Sequence, residues 1–369
     1  MEFRVLTTKG SDLIEWESLL TRLPASLRDI HFIPAYGRIY HASYGQDPFL
    51  AVCHVGQSFV CQPFVKRRLN DLPFLANCQE SCDFYDIANP YGYGGPIVCA
   101  AAGADVPSLV AAYEEELTSF ALHSGYASEF SSFHPLLRNH ELFLAGQAVT
   151  PQVQKQIVYM ELQGGEEAIW AGLNRGHKSA VNKARRSGVE VHKVEPTVQN
   201  IEKFSRLYYR TMERNRAAER WHFPVRYFSD CLEQLGESKA SLFFANVGNE
   251  VAAAHLLMHD FDTAYYHFGG SDERFNDLRA STLLIYECAL WASQQGYHHF
   301  HLGGGVSAGP DDNLFRFKSG FSPKTAPLYC YGRILNDSVY SELTTLKREF
   351  EVQTLGQEMT SDYFPLYRR

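Results

Sequence analysis

A strand, a helix and a second strand follow one another in residues 264–305, and a chain built around such a unit has few folds open to it. Ala264, Tyr265, Tyr266, His267 and Phe268 form an apolar-aromatic run closed by Gly269-Gly270, which reads as a strand ending in a turn. Ser281 or Thr282 then starts a helix in which Leu283, Leu284, Tyr286, Cys288, Leu290 and Trp291 recur at three and four, stopped by Gly296. Residues 297–302 alternate as a second strand and run into Gly303-Gly304-Gly305. A loop leads on to Phe315-Arg316-Phe317-Lys318-Ser319-Gly320-Phe321. Strands joined through a helix lie parallel, and a ligand crevice opens where they end, here at the glycines.

The same alternation of strands and helices fills the rest of the chain. Residues 2–6 read as a strand and 12–23 as an amphipathic helix; a second helix over 35–44 stops at Gly45. Residues 49–55 and 59–67 form a hairpin across Gly56-Gln57, and 106–123 form a helix with Pro107 in its first turn. Strands are expected over 127–133 and 153–162. After Gly164-Gly165, helices are expected over 166–173, 178–187, 200–214 and 225–235, and a strand over 189–194. A hairpin over Gly248-Asn249 feeds the organising unit, and a strand over 328–334 and a helix over 339–354 close the chain. The chain of 369 residues exceeds one core, and 45% apolar content suffices for two. The double glycine places the boundary, giving domains over 1–163 and 164–369, the second with the closing helix.

A net charge of −8 argues against bulk nucleic-acid binding and leaves room for one local basic site. Eight cysteines, of which only Cys78 and Cys82 are close, fit reduced thiols. The first residues have no apolar signal core and no run approaches membrane-spanning length, so the expected location is cytoplasmic, with at most peripheral membrane contact.

Three segments resemble the Fem-type peptidoglycan aminoacyltransferases of the GNAT acyltransferase superfamily. They are residues 265–305 with the following LFRFKSGF, residues 174–191 (NRGHKSAVNKARRSGVEV) and residues 89–97 (NPYGYGGPI). The resemblance implies an α/β (α+β) fold of two tandem GNAT-like domains, each a mixed sheet flanked by helices. It also implies an N-acyltransferase acting on an amine of a phosphorylated cell-envelope precursor, either a peptidoglycan precursor or an amino-sugar nucleotide. An acyl-CoA-dependent enzyme of capsule or lipopolysaccharide sugars is the alternative, and a catalytically silent binding protein is a further one.

On pattern alone Lys318 suits either a charge-stabilising site or a surface lysine lying over aromatic rings. The resemblance implies the former, with Phe317 shaping the site and Lys318 holding the oxyanion. Arg175, His177, Lys178, Lys183, Arg185 and Arg186 put cations near a helix start, which suits phosphate as well as a solvated face. By resemblance Lys178 and Arg185 meet the donor, together with Ser281, Thr282, Gly303 and Gly304. Thr211 and Arg214 form a Thr-x-x-Arg pattern that resembles a family segment meeting acceptor phosphates. Tyr91, Tyr93 and Gly94 sit in a glycine-rich loop that implies an acceptor pocket, with Lys66, Arg67 and Arg68 as nearby basic residues because the family carries a base where Gly94 stands. Asp311 and Asp312 are candidate bases without an assigned role. His299 and His301 share a strand face but lack a third ligand of convincing spacing, so no metal is expected. The expected partners are a phosphorylated amine-bearing small molecule and a donor carried by coenzyme A or by tRNA, with no DNA. The helix start Leu278-Arg279-Ala280-Ser281-Thr282 departs from the Gln/Arg-x-x-Gly-x-Gly/Ala loop of coenzyme A-dependent relatives, which leaves the donor open.

Overall fold

Local turn chemistry starts the fold. In the computed structural model, β1 (Glu2–Thr7), α1 (Gly10–Arg22) and α2 (Pro34–Tyr44) lead into the hairpin of β2 (Asp47–Val55) and β3 (Ser58–Arg68). Val55 pairs with Ser58, and Gly56 takes the positive φ of 61° that this two-residue connection needs. Residues 1–75, 84–143, 149–307, 309, 311–359 and 363–368 are described; the Cys78/Cys82 pair lies outside them. Then come β4 (Tyr85–Ala88), β5 (Ile97–Cys99), α3 (Val106–His123) and β6 (Tyr126–Ser132). The Asp105 side chain caps α3 by accepting from Ser108 N, and Pro107 stands in its first turn, where a missing N–H costs nothing. Tyr113, Leu117 and Ala121 of α3 are buried in one core with Phe64, Ile87 and Phe133.

The second half runs β7 (Gln152–Glu161), α4 (Gly165–Gly172), α5 (Arg175–Arg186), β8 (Val189–Val194), α6 (Val198–Arg214) and α7 (Val225–Leu235). It continues with β9 (Ala240–Val247), β10 (Glu250–Asp260), β11 (Thr263–Ser271), α8 (Ala280–Gln294), β12 (His299–Gly304) and α9 (Asn313–Ser319). These strands form a sheet in the order β7-β12-β11-β10-β9-β8, parallel between β11 and β12 and antiparallel elsewhere. Helix α8 is buried over most of its surface, because it is packed between the sheet and the helices α4 and α5. Burying each of its Leu283, Leu284 and Ile285 side chains contributes about 1.5–3 kcal/mol. Helices α6 and α7 cover the other face, where Phe204, Tyr208, Phe228 and Phe268 meet edge to face.

The chain then returns. β13 (Thr325–Ile334) pairs with β6, and α10 (Asp337–Leu355) follows. Two compact units result: Met1–Leu27, His31–Val153 and Leu328–Arg369 form one, Arg28–Ile30 and Gln154–Pro327 the other. The closing strand and helix therefore belong with the first unit rather than the second. Buried charge holds them there: Arg333 on β13 bonds Glu129 at 2.6 Å and also pairs with Glu114, while Tyr331 bonds Glu129 at 2.6 Å. The sheet of the first unit reads β1-β2-β3-β4-β6-β13, with β5 on β3. The transition between units falls at residue 153/154, ahead of Gly164-Gly165. That glycine pair is the tight turn into α4, with Gly164 at φ 92° as its N-cap. Among the described residues no helix is long and apolar enough to cross a membrane.

Candidate functional site

β11 and β12 pair over only three residue pairs, Thr263 with His299, Ala264 with Phe300 and Tyr265 with His301. Both strands then run on through the glycines that the sequence suggests as their ends. β11 continues through Gly269 and Gly270 because α6 crosses it there: a Cβ on Gly270 would stand 2.4 Å from the backbone of Leu207 and Tyr208. A register shift against β10 at Leu256/Leu257 leaves His267 bulged out of the ladder, which turns the strand away from β12. β12 is pulled the other way by β7, with its own shift between His301 and Gly303.

Lys318 occupies this divergence. It lies on α9, one of the few helices too short for its periodicity to be read in the sequence, and it is only 7% exposed. Its ammonium donates to Gly304 O at 2.8 Å and stands 5.5 Å from the centre of the Tyr266 ring. So it touches β12 on one side and β11 on the other. An ammonium has three donors; among the described residues Gly304 O accepts one. Burial pulls the amine down from its ordinary value to about 7, the neighbouring Lys155 pulls the same way, and Asp312 opposes both. A surface lysine is thereby ruled out.

Phe317 does not join Lys318 at the strands. It faces the other side of α9, 5.4 Å from the rings of both His177 and Phe321, and borders an open cavity of about 580 Å³ that Asn174, Phe315 and Gly320 also line. The ring of His177 lies at the start of α5, where burial lowers its pKa. Asp312 caps α9 by accepting from Phe315 N at 2.9 Å, and it also accepts from Ser307 N at 2.7 Å. Burial opposes its ionisation, but these hydrogen bonds win and hold the carboxyl below its usual range. It is thus an occupied anion rather than an open base.

The remaining candidates are placed as follows. Lys178 on α5 donates to Ala171 O at 3.3 Å, and Arg185 pairs with Glu287 at 2.9 Å over the Tyr286 ring. Ser281 lies half-buried in the first turn of α8, whereas Thr282 is buried toward the core. Thr211 accepts from Ser271 N at 2.9 Å, and Arg214 donates to Ser271 O at 3.2 Å and Oγ at 3.1 Å. This pair clamps the end of β11. His301 accepts from Gly303 N at 3.1 Å through Nδ1, so its ring serves the strand backbone.

In the first unit, the Tyr91 backbone is held by the Tyr36 and Tyr40 hydroxyls, and burial pushes its phenol up to about 12. Tyr93 lies among rings, 5.0 Å from His31 and 5.1 Å from His134. Gly94 donates to Ser132 O at 2.7 Å, and a Cβ there would stand 2.6 Å from Asn89 Cβ. The glycine is a packing requirement, which accounts for the missing base. Lys66 and Arg67 do not replace it freely: the first lies 3.5 Å over the Tyr85 ring and the second pairs with buried Asp86 at 2.7 Å.

Sequence reasoning overlooked Lys155. It stands on β7 as one polar residue among several, and nothing in its neighbours marks it. Its ammonium donates to Gly305 O at 3.0 Å.

Residues 174–319 match the family model of the acetyltransferase (GNAT) domain. No curated protein matches the sequence. Among solved structures, FemX superposes with a TM-score of 0.67 at 14% identity, over 93% of this chain and 99% of its own. A tandem GNAT protein from the clavulanic acid biosynthesis pathway gives 0.54 at 10% identity, over 91% and 98%. The L-PGS of Bacillus licheniformis gives 0.51 at 12% identity, over 89% and 93%. Residues 174–319 therefore form a GNAT acetyltransferase domain, whose parting strands hold a buried lysine, in a chain that shares the fold of FemX over 93% of its length.

Proposed function

We propose that the protein transfers an acyl or aminoacyl group from a carrier to an amine of a phosphorylated cell-envelope precursor in the cytoplasm. The observation that carries this reading is the Lys318 ammonium, buried where β11 and β12 part, with two N–H groups left for a carbonyl oxygen. A neutral amine attacks the carbonyl carbon and the carbonyl oxygen takes up negative charge beside Lys318. The tetrahedral intermediate then collapses, expelling the carrier's thiolate or alkoxide, which takes the proton the amine loses. Positioning and charge stabilisation supply most of the rate. The fold shared with FemX and with the L-PGS of Bacillus licheniformis favours an envelope acceptor.

In this reading the first domain takes the acceptor, around Tyr91, Tyr93 and Gly94, and the second takes the donor. Thr211 and Arg214 meet acceptor phosphate. Lys178, Arg185, Ser281, Gly303 and Gly304 line the donor path, while Thr282 contributes its backbone because its side chain is buried. Phe317 shapes the wall rather than the reacting centre. Coenzyme A as carrier is the second reading, favoured by the acetyltransferase domain model over residues 174–319. Native mass spectrometry of the purified protein, followed by transfer assays with acyl-CoA and aminoacyl-tRNA to amino-sugar nucleotides and peptidoglycan precursors, separates the carriers. Failure to bind or turn over any donor of either class would sink the reading.

A further inference from the structure

Each glycine of the triplet is bare beside a charged side chain, and at Gly304 the Gln156 carbonyl oxygen would stand closer still, 2.8 Å from a Cβ. A Cβ on Gly303 would stand 3.3 Å from Lys318 Nζ, one on Gly304 3.1 Å from Lys155 Cδ, and one on Gly305 2.3 Å from Asp312 Oδ1. The two ammonium groups are tied to successive carbonyls, Lys318 to Gly304 and Lys155 to Gly305. Gly303-Gly304-Gly305 is therefore the floor of a cluster of two lysines and one carboxylate. We propose that Lys155 is a positioning residue of the acyl-transfer centre, whose charge, set against that of Asp312 across the glycine triplet, governs the charge on Lys318. The proposal rests on the reading of Lys318 as the group that holds the oxyanion.

The groups facing Lys318 come from every element around it. Lys155 comes from β7, Asp312 from the start of α9 and the Tyr266 ring from β11. Arg220, in the segment after α6, acts on Lys155 in turn. Burial lowers the pKa of Lys155 as well, with Asp312 opposing and Arg220 assisting. Two cations on adjacent carbonyls, each acted on by the same carboxylate, form a coupled set, in which removing one charge changes the others. A lysine that merely tied down Gly305 would do so equally well without its charge.

The test is an NMR titration of protein carrying 13C at lysine Cε, with the Lys318 resonance assigned by its loss in Lys318→Arg. Lys155→Gln keeps a donor for Gly305 O and removes the charge; it should move the Lys318 midpoint up by about half a pH unit or more. Asp312→Asn keeps the helix cap and should move it down. Lys155→Arg keeps the charge and should leave it in place. The alkaline loss of transfer activity should move in step with the midpoint. A midpoint unmoved by Lys155→Gln and by Asp312→Asn overturns the proposal, as does a moved midpoint without a moved rate profile. The titration needs no substrate, so a protein that transfers nothing yet shows the coupled midpoints would fail the acyl-transfer reading while the charge coupling stands.

Discussion

Lys318→Met should make the protein slower and, below neutral pH, more stable. The wild-type amine changes charge at about 7 instead of 10.5, which corresponds to about 4–5 kcal/mol against folding with the ammonium in place. Methionine keeps the length of the stem but leaves Gly304 O without its donor, at a cost of about 1–3 kcal/mol. The net gain at pH 6 is about 2 kcal/mol. The sign follows from the lowered pKa. Below 7 both folded and unfolded states carry the proton and the folded state bears the full cost. Between 7 and 10.5 the unfolded state binds more protons, so wild-type stability rises with pH and the advantage of the variant disappears. Near pH 10 the variant should be the less stable protein, because neutral Lys318 still donates to Gly304. Urea denaturation at several pH values reads this crossing. Single-turnover transfer should slow by about 100-fold to 1,000-fold, the cost of one lost oxyanion donor, while substrate affinity changes much less. Lys347→Met on α10, which removes only an ion pair with Glu351, is the control and should leave turnover unchanged. A Lys318→Met protein with wild-type turnover, or with a stability difference independent of pH, refutes the reasoning.

Gly270→Ala should prevent the second unit from folding, since the new methyl meets the α6 backbone at 2.4 Å and backbone cannot yield; circular dichroism and proteolysis would show it. Arg214→Ala should raise KM for a phosphorylated acceptor and Lys178→Ala or Arg185→Ala that for the donor, each effect shrinking with added salt. Lowered stability with unchanged KM would reduce Arg214 to its clamp on Ser271. Glu114 is raised to about 7, by burial first, with Arg333 opposing. A raised carboxyl binds its proton more tightly in the folded state, so its contribution is present below 4.5 and is lost as pH rises through 7. Glu114→Gln should flatten that loss in denaturation curves between pH 5 and 8.

Elements set by local chemistry were legible in the sequence. The 106–123 helix, with its capping aspartate and early proline, and the hairpin at Gly56-Gln57 appear where their residues put them. Glycines were the recurrent misreading. Gly269, Gly270, Gly303 and Gly304 look like turn residues, yet they lie within strands, because Tyr266 and His255, the α6 backbone, Lys318, and the Gln156 carbonyl with Lys155 respectively fill the places of the missing side chains. Such a reason comes from residues distant in the chain and leaves no local mark. The same holds at the site. Aromatic neighbours alone leave Lys318 open between a site and a surface lysine, and only the family resemblance singles it out, whereas Lys155 is one polar position on β7, and the divergence of Phe317 from Lys318 depends on a seven-residue helix. The return of β13 to β6 rests on Arg333, Glu114 and Glu129, three ordinary surface-type residues until their pairing is seen.

That return also sets an order of assembly. Nearly all of the second unit is one continuous stretch, Gln154–Pro327, so its sheet is complete in sequence before the first unit has its last strand. The first unit begins at Met1 but waits for a contact between Arg333 and Glu129, 204 residues apart, to close its buried charges. During synthesis, then, the domain that emerges first is the one that finishes last, with Glu114 and Glu129 held without their arginine until Leu328–Arg369 leaves the ribosome. A stop before Leu328 would therefore damage the first unit, and not the second, whose stretch Gln154–Pro327 it leaves whole.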